Sequence, residues 1–153
     1  NEAYENTIND VVKTLIKNHN ILVTKANSDA MGSLFNNCFQ HLQDEYPHKL
    51  KLVSVLGKLN YFQAMKQCQF MLGNTSSGII EAASFSKRVV NVGNRQKGRL
   101  RNENIEDVQF NIEEILIAVE RVVRLKSYDD GNKYARPRTL DTIIKILTQD
   151  EEL

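Results

Sequence analysis

One stretch of the sequence concentrates side chains that could bind a phosphorylated ligand. It occupies residues 73–99 and reads GNTSSGIIEAASFSKRVVNVGNRQKGR. Its first part combines three hydroxyls, a glycine and one carboxylate, at Thr75, Ser76, Ser77, Gly78 and Glu81. If a strand ends at Gly73 and a helix then begins, the backbone amides of the first helical turn are unpaired and suit a phosphate. Glu81, about one turn later, can accept hydrogen bonds from two neighbouring hydroxyls, such as those of a ribose.

Basic residues follow at every second position, at Arg95, Lys97, Arg99 and Arg101. In an extended segment they share one face, and arginine binds phosphate as a rigid fork. Two plainer interpretations remain open: the first part can be a capped helix with a surface glutamate, and the second a solvated charged loop. The absence of interleaved aromatic residues disfavours a nucleic-acid surface. Neither GxGxxG nor GxxxxGK[ST] occurs in the sequence.

Apolar periodicity predicts helices and strands in alternation. Strands are predicted at 21–24 (buried), 49–56, 69–72 and 88–92, with an edge strand within 103–110. Helices are predicted around the apolar sets that begin at Tyr4, Met31, Tyr61 (with Met65 and Cys68) and Ile112, with a short helix in SGIIEAASF. A last helix is predicted in TLDTIIKILTQ, with Thr139 as its N-cap. Residues 127–138 are predicted to be an irregular link.

This alternation predicts the fold class and the position of the site. Strands separated by helices imply a parallel sheet with helices on both faces. We therefore predict one α/β domain of the Rossmann-like type over residues 1–153. Ligands of such sheets bind at the carboxyl ends of strands, and residues 73–99 follow two such ends.

The composition is that of an ordinary globular protein and excludes several classes. The 153 residues suffice for one domain, and 41% hydrophobic and 25% charged residues are average values. A formal net charge of +1 gives no global attraction to nucleic acid or membranes. No apolar run approaches the roughly 20 residues that span a bilayer. The polar start, NEAYENTIND, lacks a methionine, so the chain is interpreted as a piece of a longer protein.

The cysteines and histidines predict neither a metal site nor a catalytic base. Cys38 and Cys68 fall on apolar faces of predicted helices, so we expect buried free thiols in a reducing cytoplasm. His19, His41 and His48 fall near helix ends, where the sequence indicates nothing that would make any of them a base, and the acidic residues are scattered. We expect no metal, no cofactor and no histidine that acts as a base within this chain.

The segments GNTSSGIIEAASF, VVNVGNRQKGR and ENI resemble the C-terminal domain of the hydrolysing UDP-N-acetylglucosamine 2-epimerases. That family feeds the synthesis of sialic and related nonulosonic acids. The combination of GN[ST]SSG, a following Glu and GxRQxGR is long and specific, whereas non-hydrolysing relatives resemble a DSGG…EE pattern. The family has two Rossmann-like domains facing a cleft, the glycosyltransferase-B arrangement. The resemblance implies that this chain is the nucleotide-binding C-terminal domain and that a catalytic N-terminal domain is absent from it.

The resemblance also implies roles for individual residues. Thr75 and Ser76 would contact the UDP diphosphate beside the Ser77 and Gly78 backbone, Glu81 would hold the ribose hydroxyls, and Arg95 would line the cleft. Tyr61 stands where an aromatic residue packs on the uracil, although it can equally be a core aromatic. The turn KANSDAMGS resembles the family's NADAGxR turn, which makes Asn27 a polar contact, while Asp29 can simply cap the next helix.

Two further segments match the family at lower specificity. The first residues resemble those that follow the histidine of the family's HPxT segment, with Asn1 in the proline position. SYDDGNKYA matches the family's NPYGDG segment only loosely, so no closing role is assigned to it.

The activity implied by the resemblance begins with loss of the sugar C2 proton. Departure of UDP then gives a 2-acetamidoglucal, and addition of water gives N-acetylmannosamine. The carboxylates for acid–base chemistry would lie in the N-terminal domain, so the resemblance implies no catalytic residue in this chain, which alone would be inactive.

Three alternatives remain: another UDP-sugar such as a diacetamido-trideoxy sugar, a glycosyltransferase of the same fold, and an interaction domain without a ligand. The expected partners are a UDP-sugar and the N-terminal domain of the same protein, and neither nucleic acid nor a membrane is expected as a partner. The expected location is the cytoplasm. Oligomeric state is left open, a homo-oligomer included.

Overall fold

The computed structural model describes residues 2–135 of the chain. The chain divides into two compact units, Asn1–Gly57 and Lys58–Leu153. The predicted C-terminal helix with its N-cap Thr139, and Asn1 with its match to a family proline, lie outside the described residues. Between residues 2 and 135, no helix is both long and apolar enough to cross a bilayer.

The first unit alternates two helices with two strands. Its elements are α1 (Glu2–Leu15), β1 (Ile21–Thr24), α2 (Ala30–Glu45) and β2 (Leu50–Val53). β1 and β2 pair in parallel, with Ile21 opposite Leu50. The helices form because apolar residues recur every three or four positions and bury one face. Leu42 of α2 and Leu50 of β2 are each only 1% exposed.

The second unit contains the hydroxyl segment and the basic loop. Its elements are α3 (Gly57–Gln67), which starts at the last residue of the first unit, β3 (Met71–Gly73), α4 (Ser76–Ile80), a 3-10 helix (Ala82–Phe85), β4 (Val89–Val92), β5 (Ile105–Val108) and α5 (Ile112–Leu125). The strands are parallel in the order β3–β4–β5. The central strand β4 is buried and apolar except at Asn91, as expected of a parallel strand paired on both sides. Chain segments leaving β3 and β4 form the candidate site.

Most predicted elements are confirmed, including β5 as an edge strand and the parallel α/β class. β1 was predicted as buried, but it alternates and leaves Leu22 48% exposed. β2 ends at Val53 rather than at residue 56, because the chain bends at Ser54 and exposes Val55. Cys68 follows the end of α3 rather than lying within it.

Hydrogen bonds join the described strands into one two-stranded and one three-stranded sheet, whereas the sequence predicted one sheet. β1 and β3 contribute only four and three residues. Each makes its ladder with one neighbour, β1 with β2 and β3 with β4.

Candidate functional site

Thr75 shapes the turn between β3 and α4. It is the N-cap of α4, and its Oγ1 accepts a hydrogen bond from the Ser77 amide at 3.3 Å. The Thr75 carbonyl accepts from the Gly78 amide at 3.2 Å. The expectation of unpaired first-turn amides is therefore wrong for these two groups, because Thr75 already binds them. Capping uses a lone pair of the hydroxyl, so its O–H proton remains available as a donor.

Gly78 allows α4 to lie close to the central strand. A Cβ added at Gly78 would meet Val89 Cγ1 of β4 at 3.0 Å, which is tighter than ordinary van der Waals contact. Gly78 is buried. Its small size therefore serves helix–strand packing, and through that packing it sets the position of the hydroxyl residues at the start of α4.

Glu81 lies at the junction between α4 and the 3-10 helix. Its side chain is partly buried, and its Oε2 atom is buried without a hydrogen-bond partner in the part of the chain that the structure describes. Burial raises the pKa of the Glu81 carboxyl, and a hydrogen bond from Ser77 and the positive charge of Lys58 only partly oppose this. The Oε2 atom can thus still accept hydrogen bonds. Because this atom is buried, water donates few of them.

The basic loop is a series of turns, so the predicted common face of its basic residues is wrong. Arg101 points into the protein: its guanidinium contacts Asp107 Oδ1 at 2.8 Å and the Gln96 carbonyl at 3.0 Å. Asp107 also accepts from buried Asn91 at 2.7 Å. Arg101 is therefore structural. Arg95 is exposed and makes no hydrogen bond or ion pair among residues 2–135, which leaves its guanidinium available.

Gln96 ties the basic loop to the hydroxyl segment. Its side chain is 3% exposed, and its Nε2 donates to the Asn74 carbonyl at 2.8 Å. Asn74 directly precedes Thr75, so this bond brings the neighbourhood of Arg95 to the start of α4. Sequence reasoning missed Gln96, although a glutamine inside a run of basic residues was a visible irregularity.

Tyr61 packs beside the Glu81 segment rather than in open solvent. It is partly buried and contacts a cluster formed by Met65, Ala82 and Val89. Its ring centroid lies 6.5 Å from that of Phe62. The core interpretation is thus partly correct. Because Ala82 follows Glu81, the cluster also places the Tyr61 ring near the carboxylate segment.

Asn27 belongs to the first unit, in the turn between β1 and α2, where it is exposed. Asp29 caps α2, since its Oδ1 accepts from the Gly32 amide at 2.7 Å, as the capping interpretation predicted. A Cβ at Gly32 would meet the Asn27 carbonyl oxygen at 1.8 Å, so glycine is required for this close turn.

The cysteines are free thiols, Cys38 buried and Cys68 partly buried. His41 and His48 are exposed. Within residues 2–135, no group of three or more His, Cys, Asp and Glu side chains is arranged to hold a metal ion.

Residues 1–148 match the family model described as UDP-N-acetylglucosamine 2-epimerase. The chain belongs to the UDP-N-acetylglucosamine 2-epimerase family.

Three relatives of this family member carry informative names. It is 42% identical over 106 residues to the GDP/UDP-N,N′-diacetylbacillosamine 2-epimerase (hydrolyzing) of Campylobacter jejuni, covering 65% of this chain and 28% of that protein. It is 33% identical over 133 residues to the UDP-N,N′-diacetylbacillosamine 2-epimerase (hydrolyzing) of Legionella pneumophila, covering 87% and 35%. It is 29% identical over 109 residues to the polysialic acid biosynthesis protein P7 of Escherichia coli, covering 67% and 27%.

The UDP-GlcNAc 2-epimerase of Methanocaldococcus jannaschii has a similar fold. The TM-score is 0.71 at 18% identity, over 97% of this chain and 42% of that one. The chain therefore spans about a third of the curated relatives it matches and less than half of the solved structure.

Several buried amides of this epimerase-family domain were not identified from sequence. Asn91, Asn102 and Asn104 are each at most 3% exposed. Asn104 Nδ2 donates to the Lys87 carbonyl at 2.8 Å. Asn91 interrupts the apolar strand VVNV, and a polar residue there was a signal for a buried hydrogen-bond network. Asn102 offered no comparable signal, because its partner lies thirty residues further along the chain.

Proposed function

We propose that this chain is the UDP-binding, C-terminal half of a hydrolysing UDP-N-acetylglucosamine 2-epimerase, which converts UDP-N-acetylglucosamine and water into N-acetylmannosamine and UDP. Family membership and two relatives named as hydrolyzing 2-epimerases support the reaction class. The observation that carries the nucleotide assignment is the unpartnered, buried Oε2 atom of Glu81. Two ribose hydroxyls would satisfy that acceptor.

The hydroxyl segment and the basic loop supply the diphosphate contacts in this proposal. Thr75 keeps its hydroxyl proton as a donor, and Ser76 is exposed at the first position of α4. Arg95 adds a charged fork, which suits phosphate oxygens. The bond from Gln96 to the Asn74 carbonyl supports a common site for these groups.

Three further contacts complete the proposed assignment. The Ser77 and Gly78 backbone lies beside the diphosphate, although their amides are bound to Thr75. Tyr61 contacts the uracil, which its packing against Ala82 supports. Asn27 lines the cleft, an assignment that rests on the resemblance of its turn.

The chemical contribution of this half is stabilisation of the leaving group. When the bond between the sugar C1 and the diphosphate oxygen breaks, negative charge develops on UDP. Fixed donors aimed at such charge lower a barrier by several kcal/mol, by about 3–4 kcal/mol for a single donor in well-studied cases. The groups that remove the C2 proton and add water are assigned to the N-terminal domain.

A second candidate substrate is favoured by the names of the relatives. Two of them are named for N,N′-diacetylbacillosamine, and one name includes both GDP and UDP. Turnover of UDP-N-acetylglucosamine, UDP-N,N′-diacetylbacillosamine and the GDP form by the full-length enzyme separates these candidates. Release of UDP without an acceptor sugar argues against a glycosyltransferase.

The proposal is tested by titrating UDP into the full-length enzyme by calorimetry, with GDP and AMP as comparison ligands. Saturable UDP binding is expected. Glu81→Ala removes charge-assisted hydrogen bonds to the ribose, so UDP should bind about 10- to 100-fold more weakly.

Glu113→Ala is the matched control, because Glu113 is an exposed carboxylate in the first turn of α5. It should bind UDP as the wild type does. Equal UDP affinity of the wild type and Glu81→Ala, with both proteins folded, would overturn the assignment of the ribose to Glu81.

The proposal also includes partners and location. The N-terminal domain of the same protein is the other wall of the cleft, and the enzyme acts in the cytoplasm. The free thiols of Cys38 and Cys68 are compatible with that reducing compartment. Cell fractionation checks the location, and light scattering of the full-length enzyme checks for a homo-oligomer.

A further inference from the structure

Two asparagine side chains, Asn102 and Asn132, connect three segments of the second unit. Asn102 Nδ2 donates to Asn132 Oδ1 at 3.0 Å. Asn132 Nδ2 donates to the Ile80 carbonyl at 2.7 Å and to Ser84 Oγ at 2.8 Å. Its Oδ1 also accepts from the Tyr134 amide at 2.9 Å. Every donor and acceptor of the Asn132 amide is therefore used.

The two acceptors of Asn132 Nδ2 lie on either side of Glu81. The Ser84 amide donates to the Glu81 carbonyl, three residues back, at 2.9 Å. In a continuous α-helix it would donate to Ile80, four residues back. The helix therefore changes type at Glu81, and Asn132 binds the Ile80 carbonyl that this change frees. An unbound carbonyl at such a place would be costly.

The segment that contains Asn132, residues 127–135, also holds the basic loop. Asn102 is 3% exposed, and its Oδ1 accepts from the Lys133 amide at 2.8 Å. Lys133 Nζ donates to the Arg101 carbonyl at 2.9 Å, and the Tyr134 hydroxyl donates to the Leu100 carbonyl at 2.8 Å. Residues 127–135, to which the sequence assigned no role, thus bridge the loop and the Glu81 junction.

We infer that Asn132, held by Asn102, is a positioning residue that orients Glu81 toward the ribose hydroxyls. This inference rests on the proposed function. Without Asn132, the Ser84 amide can shift to the Ile80 carbonyl and continue the α-helix. Successive residues differ by about 100° around the axis of an α-helix and by about 120° around that of a 3-10 helix. A change of helix type at this junction therefore turns the Glu81 carboxyl to a different direction. Asn132 therefore controls how strongly the enzyme distinguishes a ribose from a deoxyribose.

The experiment compares the affinities of the full-length enzyme for UDP and for 2′,3′-dideoxy-UDP. The wild type should prefer UDP, and Glu81→Ala should abolish the preference. Asn132→Ala should weaken UDP binding about tenfold and change dideoxy-UDP binding by less than about threefold. Ser127→Ala is the control in the same segment, since the exposed Ser127 hydroxyl has a single hydrogen bond within residues 2–135, which it donates to Asp129 at 3.3 Å.

A merely structural role would weaken both ligands equally, so equal weakening overturns the inference. If Asn132→Ala does not fold, Ser84→Ala replaces it, because it removes one acceptor of Asn132 and should lower the UDP preference in the same direction. In the Glu81→Ala background, Asn132→Ala should no longer affect the ratio.

The two proposals fail in different ways. A wild-type enzyme that binds both nucleotides equally contradicts the proposed function. A ribose preference that Glu81→Ala abolishes but that Asn132→Ala and Ser84→Ala both preserve contradicts only the role of Asn132.

Discussion

Glu81 combines a cost in stability with the proposed role in binding UDP. Burial raises the pKa of its carboxyl above the usual value of 4.5. As the pH falls through this raised pKa, Glu81 becomes protonated and loses acceptor capacity. As the pH is lowered, UDP affinity should therefore begin to fall at a higher pH than it would if Glu81 were exposed. Calorimetry between pH 4 and 8 can measure this. Glu81→Gln should bind weakly and without this pH dependence.

The same shift has a signature in the free energy of unfolding. Because the folded state binds the proton more tightly than the unfolded state, the stability of the wild type falls as pH rises from 4.5 through the raised pKa. Glu81→Gln lacks this loss. Its stability relative to the wild type should therefore be greater at pH 7 than at pH 4 in urea unfolding; an equal difference at both pH values contradicts the raised pKa.

At the scale of helices and strands, the contact of α4 with β4 is sensitive to added side-chain volume. Gly78→Ala places a methyl group 3.0 Å from Val89 Cγ1, and a β-branched side chain in a central strand adjusts poorly. Overpacking costs about 1–3 kcal/mol, which exceeds the roughly 1 kcal/mol that alanine gains in a helix. Gly78→Ala should therefore lower both thermal stability and UDP affinity.

Val89→Ala provides the matched test of that contact. It removes the two methyl groups nearest to the added Cβ, so the double variant should be less destabilised than the sum of the single variants. Additive losses in urea unfolding would show that the added methyl group is accommodated elsewhere.

At the scale of the whole molecule, the aligned part of this chain covers 28% and 35% of its Campylobacter and Legionella relatives, so activity is expected of the full-length enzyme. The full-length enzyme should release UDP from its nucleotide sugar, whereas this chain alone should not. Loss of the acid–base groups alone should lower the rate about 100- to 10,000-fold. A coupled UDP-release assay on both proteins checks this, and equal rates would place catalytic groups within this chain.

Local pattern was sufficient for most of the helices and strands. Apolar spacing predicted β1 at its observed limits and α5 in its observed place, because helix and strand periodicity is a property of neighbouring residues. The segment GNTSSGIIE likewise pointed to Thr75 and Glu81 before any contact was known. The family resemblance followed from that segment together with VVNVGNRQKGR and ENI.

Only the tertiary structure decided how those side chains are used. It turned Arg101 inward onto Asp107, used Thr75 to bind two first-turn amides, and placed Asn132 beside Ile80, 52 residues earlier. Such bonds join residues that are distant in the chain. Their partners depend on how elements pack, and periodicity in the sequence carries no information about that.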